Sequence, residues 1–467
     1  MIEVMFAGGV TRPRTTLGAL MVLSALLGGC GGSGSSNGPA TSVAGTAETV
    51  VAPTSAVPTT TTAATVVAAV TTVANRAPTT IHVPTDAPTI QAAVDRAVPG
   101  DLVLIAPGTY REAVDVLTEG ITIRGLDRNT VILDGNDEME NGFKVSANRV
   151  SIENMSIRKY TFNGLLFTKA YDDNAEDPTK HAILEGYRAS YLTVANNGQY
   201  GVYAFFARGG RIDHVYASGH PDSGLYVGQC KPCDAVLEDV DVEQNSIGYE
   251  GTNASGNLYV INSTWRNNRI GMTPNSQNME RLAPQGDVVI AGNLVATNNS
   301  ADAPATAQGA FGVGIAVAGG THDHVVRNRI AGNVSAGVIL TDLNGYMPDG
   351  NEVRSNVLDG NGTDLIYWTS ETGVQIPARK NCFAENQFVR SVPERIEEIL
   401  PCASPVEGLV SAAPYRAVAA PPDVDYRTVA LPPDQATMSN SATAPATVVD
   451  AGVPVVDVTK IVVPKAS

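Results

Sequence analysis

Between Tyr200 and Met272 a glycine followed by an apolar or aromatic residue returns at an almost constant stride. The instances are Gly201-Val202-Tyr203, Gly224-Leu225-Tyr226, Gly248-Tyr249-Glu250 and Gly271-Met272-Thr273, spaced by 23, 24 and 23 residues. Short apolar runs (Ile212 to Val215, Val236 to Val242, Val260 to Trp265) precede the later glycines, and Asn197, Asn245 and Asn268 stand three or four places before theirs. A unit of this length cannot bury its own apolar face and must stack on copies of itself. It is too short for two helices, and its alternation of three to five apolar residues with Gly, Asn, Asp and Ser divides into three short strands and three turns. The predicted fold is therefore all-β: a single-stranded right-handed parallel β-helix, with each strand pairing to the same strand one coil along, about 4.8 Å away. Asparagines at equivalent turns would stack their amides along the axis.

The frame extends. Gly120-Ile121-Thr122, Gly142-Phe143-Lys144 and Gly164-Leu165-Leu166 continue it upstream, and Gly314-Ile315 and Gly337-Val338 downstream. Gaps from Gly164 to Gly201 and from Gly271 to Gly314 predict inserts at 170–199 and 276–310, where a regular stack would carry contact loops.

Outside the repeat the composition changes. Residues 1–29 have a basic start (Arg12, Arg14) and an apolar run, Leu17 to Leu27, too short to span a bilayer, and read as a signal peptide. Leu27-Gly28-Gly29-Cys30 resembles a bacterial lipobox, which implies lipidation of Cys30, export, and attachment to the cell membrane through a lipid anchor only. Residues 30–80, rich in Thr, Ala, Pro and Ser, read as a disordered tether. In the folded domain, 81–404, Ile90, Ala93, Val94 and Ala97 share a helical face with Thr89 as N-cap and Gly100 beyond the end, a short helix that would cover the open first coil. Glu394 to Leu400 reads as a second short helix, and 405–467, rich in Pro, Ala and Val, as an extended tail, disordered toward Ser467. A formal charge of −16 argues against a nucleic-acid partner.

The segments Thr89-Ile90-Gln91-Ala92-Ala93-Val94, Ala106-Pro107-Gly108-Thr109-Tyr110 and Ile121-Thr122-Ile123-Arg124-Gly125 resemble the entry of the pectin-lyase-like superfamily of right-handed β-helix proteins. Gly224-Leu225-Tyr226-Val227-Gly228-Gln229 is similar to the bacterial parallel β-helix repeat group. The resemblance covers about residues 81 to 370. It implies fold more than activity, since lyases, hydrolases, epimerases and non-catalytic binders share this architecture. The Tyr-Gly-x-Asp-Pro-His motif of alginate epimerases is broken, with Tyr203-Ala204 where Asp-Pro would stand, and the paired-aspartate and Gly-His-Gly signature of polygalacturonases is absent.

Cys230, Cys233, Cys382 and Cys402 form an even set in an exported chain, which favours disulfides 230–233 and 382–402 over a four-cysteine zinc site. If the residue after each glycine points inward, Tyr203, Tyr226, Glu250 and Thr273 form a column on one outer face, where tyrosines beside a carboxylate would bind a sugar ring. A purely cross-strand aromatic ladder accounts for them equally. His220 and Asp222 are candidates for acid–base work beside that column, with Glu250, although solvated turn residues are the plainer reading. His214 and the His322-Asp323-His324 run show no third metal ligand, and Glu238, Asp239 and Asp241 read as a solvated face. No metal or cofactor is indicated, with Ca2+ allowed for a polyanionic ligand. The expected function is a cell-envelope lipoprotein binding, and as an enzyme processing, polysaccharide. The alternative is a non-catalytic structural or partner-presenting surface protein.

Overall fold

A computed structural model describes residues 76–169, 182–278, 281–305, 310–370, 375–411 and 414–466. The signal peptide, Cys30 and nearly all of the tether lie outside the described residues. Three parallel sheets form the walls of a right-handed β-helix. Sheet A holds twelve described strands from Thr80–Val83 to Cys382–Ala384, sheet B ten from Gly108–Tyr110 to Val357–Asp359, and sheet C eleven from Val114–Val116 to Ser391–Val392. The chain visits A, B and C in turn, so neighbours within each sheet are one coil apart.

The glycine stride marks real rungs. Leu165, Val202, Leu225, Tyr249, Met272, Ile315, Val338 and Leu365 pair in succession along sheet C, all fully buried in the lumen. Each of these but Leu365, which follows Asp364, is preceded by a glycine that close approach requires. A Cβ on Gly248 would lie 2.4 Å from the carbonyl oxygen of Gly271, and one on Gly271 2.5 Å from that of Gly314. Gly120 does not belong to this column. It sits at φ +66° in the turn entering sheet A, and the sheet C strand of its region is Val114–Val116, paired to Phe143 through Val114.

Pressed against the glycines runs a ladder of buried asparagines. The backbone N–H and Nδ2 of Asn245 both donate to Oδ1 of Asn268; Asn268 does the same to Asn298, Asn298 to Asn333 and Asn333 to Asn361. A second ladder runs through Asn293, Asn328, Asn356 and Asn386. Each amide satisfies backbone groups that the corners would otherwise leave unpaired in the interior.

Helix α1 (Ile90–Arg96) closes the first coil. Thr89 accepts from the Ala92 N–H, the Glu112 carboxylate accepts from Ile90 and Gln91 N–H, and Ile90, Ala93 and Val94 are buried. At the far end α2 (Ile396–Ile399) places Glu397 to receive both donors of Asn386. The expected disulfides are present, Cys230–Cys233 and Cys382–Cys402. The inserts are shorter than the predicted ranges 170–199 and 276–310, because Leu184–Ser190 and Thr193–Ala195 are strands, as are Gly286–Ala291 and Leu294–Ala296.

The tail is extended, and it is held throughout its described length rather than loosening toward Ser467. Val418 N–H donates to Ser335 Oγ, Arg269 holds Pro421 and Pro422 carbonyls, and Asn196 those of Tyr426 and Val429. The chain then reaches the first coils, where Arg128 binds the Ala436 carbonyl and Arg124 those of Ala444 and Pro445. From there it doubles back over sheet A until Arg327 takes Val458, Ile461 packs with Val236, Ile261, Ala291 and Val326, and Arg329 takes Pro464.

Candidate functional site

The outer wall of sheet C changes character along the stack. Toward one end Ile247, Ile270, Val313, Ile339 and Ile366 form an apolar patch, with Trp368 and Tyr415 packed against it. Toward the other, Tyr203, Tyr226, Glu250 and Thr273 stand on successive rungs in the expected register. They are not open to solvent as a free outer face would be. Tyr226 is 0% exposed and Glu250 1%, while Tyr203 is half-buried. Tyr200 stacks on Tyr203 at 4.2 Å between ring centroids, Tyr226 meets Tyr203 edge-on at 4.7 Å, and Phe205 extends the cluster.

Beneath the rings lie two carboxyl groups. Asp222 sits in the turn before its strand, and Glu250 faces outward one coil on. They hydrogen-bond each other, and the Tyr200 hydroxyl donates to Asp222. Ser223 Oγ lies 3.0 Å from Asp222 Oδ1 and 2.9 Å from Glu250 Oε2. Asn275 Nδ2 and Thr252 Oγ1 donate to Glu250 Oε1. Burial raises Asp222 above the ordinary carboxylate range, partly offset by the hydrogen bonds from Glu250, Ser223 and Tyr200. Burial and then the charge of Asp222 hold Glu250 well above that range. The pair therefore retains one proton, resting mainly on Glu250, and titrates as a unit. Among the described residues no Lys, Arg or His side chain forms an ion pair with either group.

This arrangement can give and take a proton beside an aromatic surface. Carboxyls in direct contact are closer than the roughly 5–5.5 Å of a retaining glycosidase pair or the roughly 6.5–9.5 Å of an inverting one. The donors are hard oxygens of the kind Ca2+ takes. Glu250 Oε1 already accepts from Asn275 and Thr252, however, and the shared proton would have to leave, so as they stand the residues do not fit a cation.

His220 belongs elsewhere. Its backbone N–H and Nδ1 contact Asn245 Oδ1 at 3.0 and 2.7 Å, and its Nε2 accepts from Asn197 Nδ2 at 3.1 Å. The imidazole thus stands in for an asparagine in the ladder, with Nδ1 carrying the hydrogen, and burial pushes its pKa down to about 4. Both nitrogens are taken, and the ring faces the lumen rather than Asp222's side of the wall.

The other candidates are dispersed. His214 stacks on Tyr191 at the A–B corner and pairs with Asp213. His324 pairs with Glu352 on the outside of sheet A, whereas Asp323 beside it is fully buried. Glu238 pairs with Arg211 and Asp241 with Arg266. Among the described residues the cluster most like a metal-ligand set is Glu352, Cys382 and Cys402, and its cysteines are joined to each other. Tyr200, Ser223, Thr252 and Asn275 escape the sequence reading. The signal that could find them is rung position, since Ser223 lies two residues before Leu225 and pairs with Ile247 on the next coil.

No protein-family model matches the chain, and no curated protein matches it in sequence. Among solved structures it is similar to the A-modules of two Azotobacter vinelandii mannuronan C-5 epimerases. For AlgE6 the identity is 14%, over 65% of this chain and 92% of that one, with a TM-score of 0.42. For AlgE4 it is 13%, over 65% and 91%, with a TM-score of 0.44. A pectate lyase, Pel9A, is 16% identical over 65% of this chain and 72% of its own, with a TM-score of 0.35.

Proposed function

We propose that this right-handed parallel β-helix of pectin-lyase-like fold is an exported, cell-envelope protein that binds polysaccharide where Tyr200, Tyr203 and Tyr226 overlie Asp222 and Glu250. The observation that carries the reading is the carboxyl pair. Two acids held together out of water, with no paired cation among the described residues, are unfavourable for folding and are characteristic of sites that use them. Aromatic faces beside carboxyl and hydroxyl groups suit the two sides of a sugar ring. In catalysis Glu250 would supply the proton and Asp222 would receive one. The two disulfides suit an oxidising compartment, and lipidation of Cys30 would hold the protein at the membrane.

A glycan array probed with the mature chain tests binding. The expected result is a defined oligosaccharide class, with at least tenfold weaker binding for Tyr203→Ala. Absence of any bound glycan, or binding indifferent to Tyr203, rejects the reading. One observation favours the alternative of a non-catalytic, partner-presenting surface protein: Tyr200 and Tyr203 cover one face of each other's rings. That alternative predicts an empty array together with capture of a protein partner.

A further inference from the structure

Asp323, which the proposed site does not use, lies buried inside the stack immediately before the strand His324–Val326. Its Oδ1 accepts from Val288 N–H at 2.9 Å and from Gln285 Nε2 at 2.8 Å. Its own N–H donates to Asn351 Oδ1, and Asn351 in turn donates to Asn381, so Asp323 occupies the first position of a third ladder whose later members are asparagines. Two buried atoms remain without a partner, Asp323 Oδ2 and Gln285 Oε1. Both lie 2.3 Å from one point, the place a Cβ of Gly320 would occupy. Two bare acceptors facing each other in a dry core repel, and each would go unsatisfied.

We infer that Asp323 is a neutral carboxylic acid locked to Gln285 in a cyclic acid–amide pair, with Gln285 Nε2 donating to Oδ1 and Oδ2–H donating back to Oε1. The proton satisfies both orphaned oxygens at once. It also gives Asp323 the one donor an asparagine would have offered there, as Nδ1–H does for His220. Gly320 has no side chain to displace the pair. The titratable groups facing it are Asp287 on the adjoining strand, whose charge disfavours ionisation, and Tyr249 from sheet C, whose phenol stays neutral; no cation among the described residues pairs with Asp323. Burial raises its carboxyl to about 7. The coil is therefore sensitive to pH in an unusual direction. A folded-state pKa above the unfolded value of roughly 3.9 gives stability that is complete in acid and is lost as pH rises from about 4 through about 7.

Asp323→Asn supplies the donor permanently. Urea unfolding of the full chain and this variant between pH 4.5 and 8.5 should show the folded-to-unfolded ratio of the variant gaining on the native protein by up to tenfold per pH unit until about pH 7, then staying constant. Parallel curves overturn the inference. Should the variant fail to fold, carbon NMR of the labelled native protein decides: a carboxyl titrating near or above 7 supports the acid–amide pair, and one already ionised at pH 5 refutes it.

Discussion

If His220 is a ladder member, replacing it by asparagine should restore the regular pattern rather than destroy a site. In His220→Asn the backbone N–H still donates to Asn245 Oδ1, Nδ2 takes over the bond made by Nδ1, and the new Oδ1 accepts from Asn197 as Asn268 Oδ1 accepts from Asn245. His220→Ala instead leaves Asn197 Nδ2 without an acceptor in the interior, about 1–3 kcal/mol, and opens a cavity the size of an imidazole, for a total of about 3–4 kcal/mol. The native protein also carries a pH liability that asparagine lacks. Because the buried ring titrates at about 4 rather than 6.5, the unfolded chain binds the extra proton between those values. Stability is complete above about 6.5 and falls as pH drops through 4, by about 3 kcal/mol from this group. Urea titrations at pH 4.5 and 7.5 measure both effects. The expected ranking at pH 7.5 is native close to His220→Asn and well above His220→Ala, with the asparagine variant gaining on the native protein at pH 4.5. Glycan binding by His220→Asn should be unchanged. An asparagine variant as unstable as the alanine variant, or one that keeps the native pH dependence, would refute the ladder assignment.

Gly271→Ala drives a Cβ to 2.5 Å from the Gly314 carbonyl and should destabilise the stack by roughly 2–4 kcal/mol in thermal unfolding. Arg124→Ala leaves Glu153, 2% exposed, without its cation and releases the tail carbonyls of Ala444 and Pro445. A loss of about 3–5 kcal/mol is expected, together with faster proteolysis near residues 441–447. Glu250→Gln keeps an acceptor for Asn275 and adds a permanent donor toward Asp222. Since the raised Glu250 stabilises the fold in acid and loses that contribution as pH rises, the variant should gain on the native protein from pH 5 to pH 8 in melting temperature. Any turnover that depends on Glu250 as proton donor should disappear in it.

The architecture was legible because it is written as a repeat. The inward column from Leu165 to Val338 and the stacking of Asn245 on Asn268 follow from the stride, whereas Leu365 and the second ladder do not, and the physical reason for the stride, a collision between a Cβ and the next glycine's carbonyl, appears only once the coils are stacked. Gly120 shows the limit, since a turn glycine at positive φ can fall on the same spacing by chance. The site was half legible. Alternation places Tyr203, Tyr226 and Glu250 on one outer column, but whether that column is bare or buried depends on turn and neighbouring-coil side chains such as Tyr200, Phe205 and Asn275, which alternation does not place. His220 was misleading for a related reason. Histidine can serve as a ladder rung or as a proton carrier, and a single residue, Pro221, separates it from an aspartate that faces the other way.

The returning tail has a consequence for how the molecule is made. Arg128 emerges from the ribosome 308 residues before Ala436, whose carbonyl it finally holds, and Arg124 waits 320 residues for Ala444. Until synthesis is nearly complete these guanidinium groups are only partly satisfied, Arg124 by Glu153 and Arg128 by Thr193 and Leu192, with their remaining N–H groups awaiting the tail. The last segment thus acts as a seal on the whole prism, and a chain cut short before residue 436 should be recognisable to quality-control proteases by its unshielded beginning.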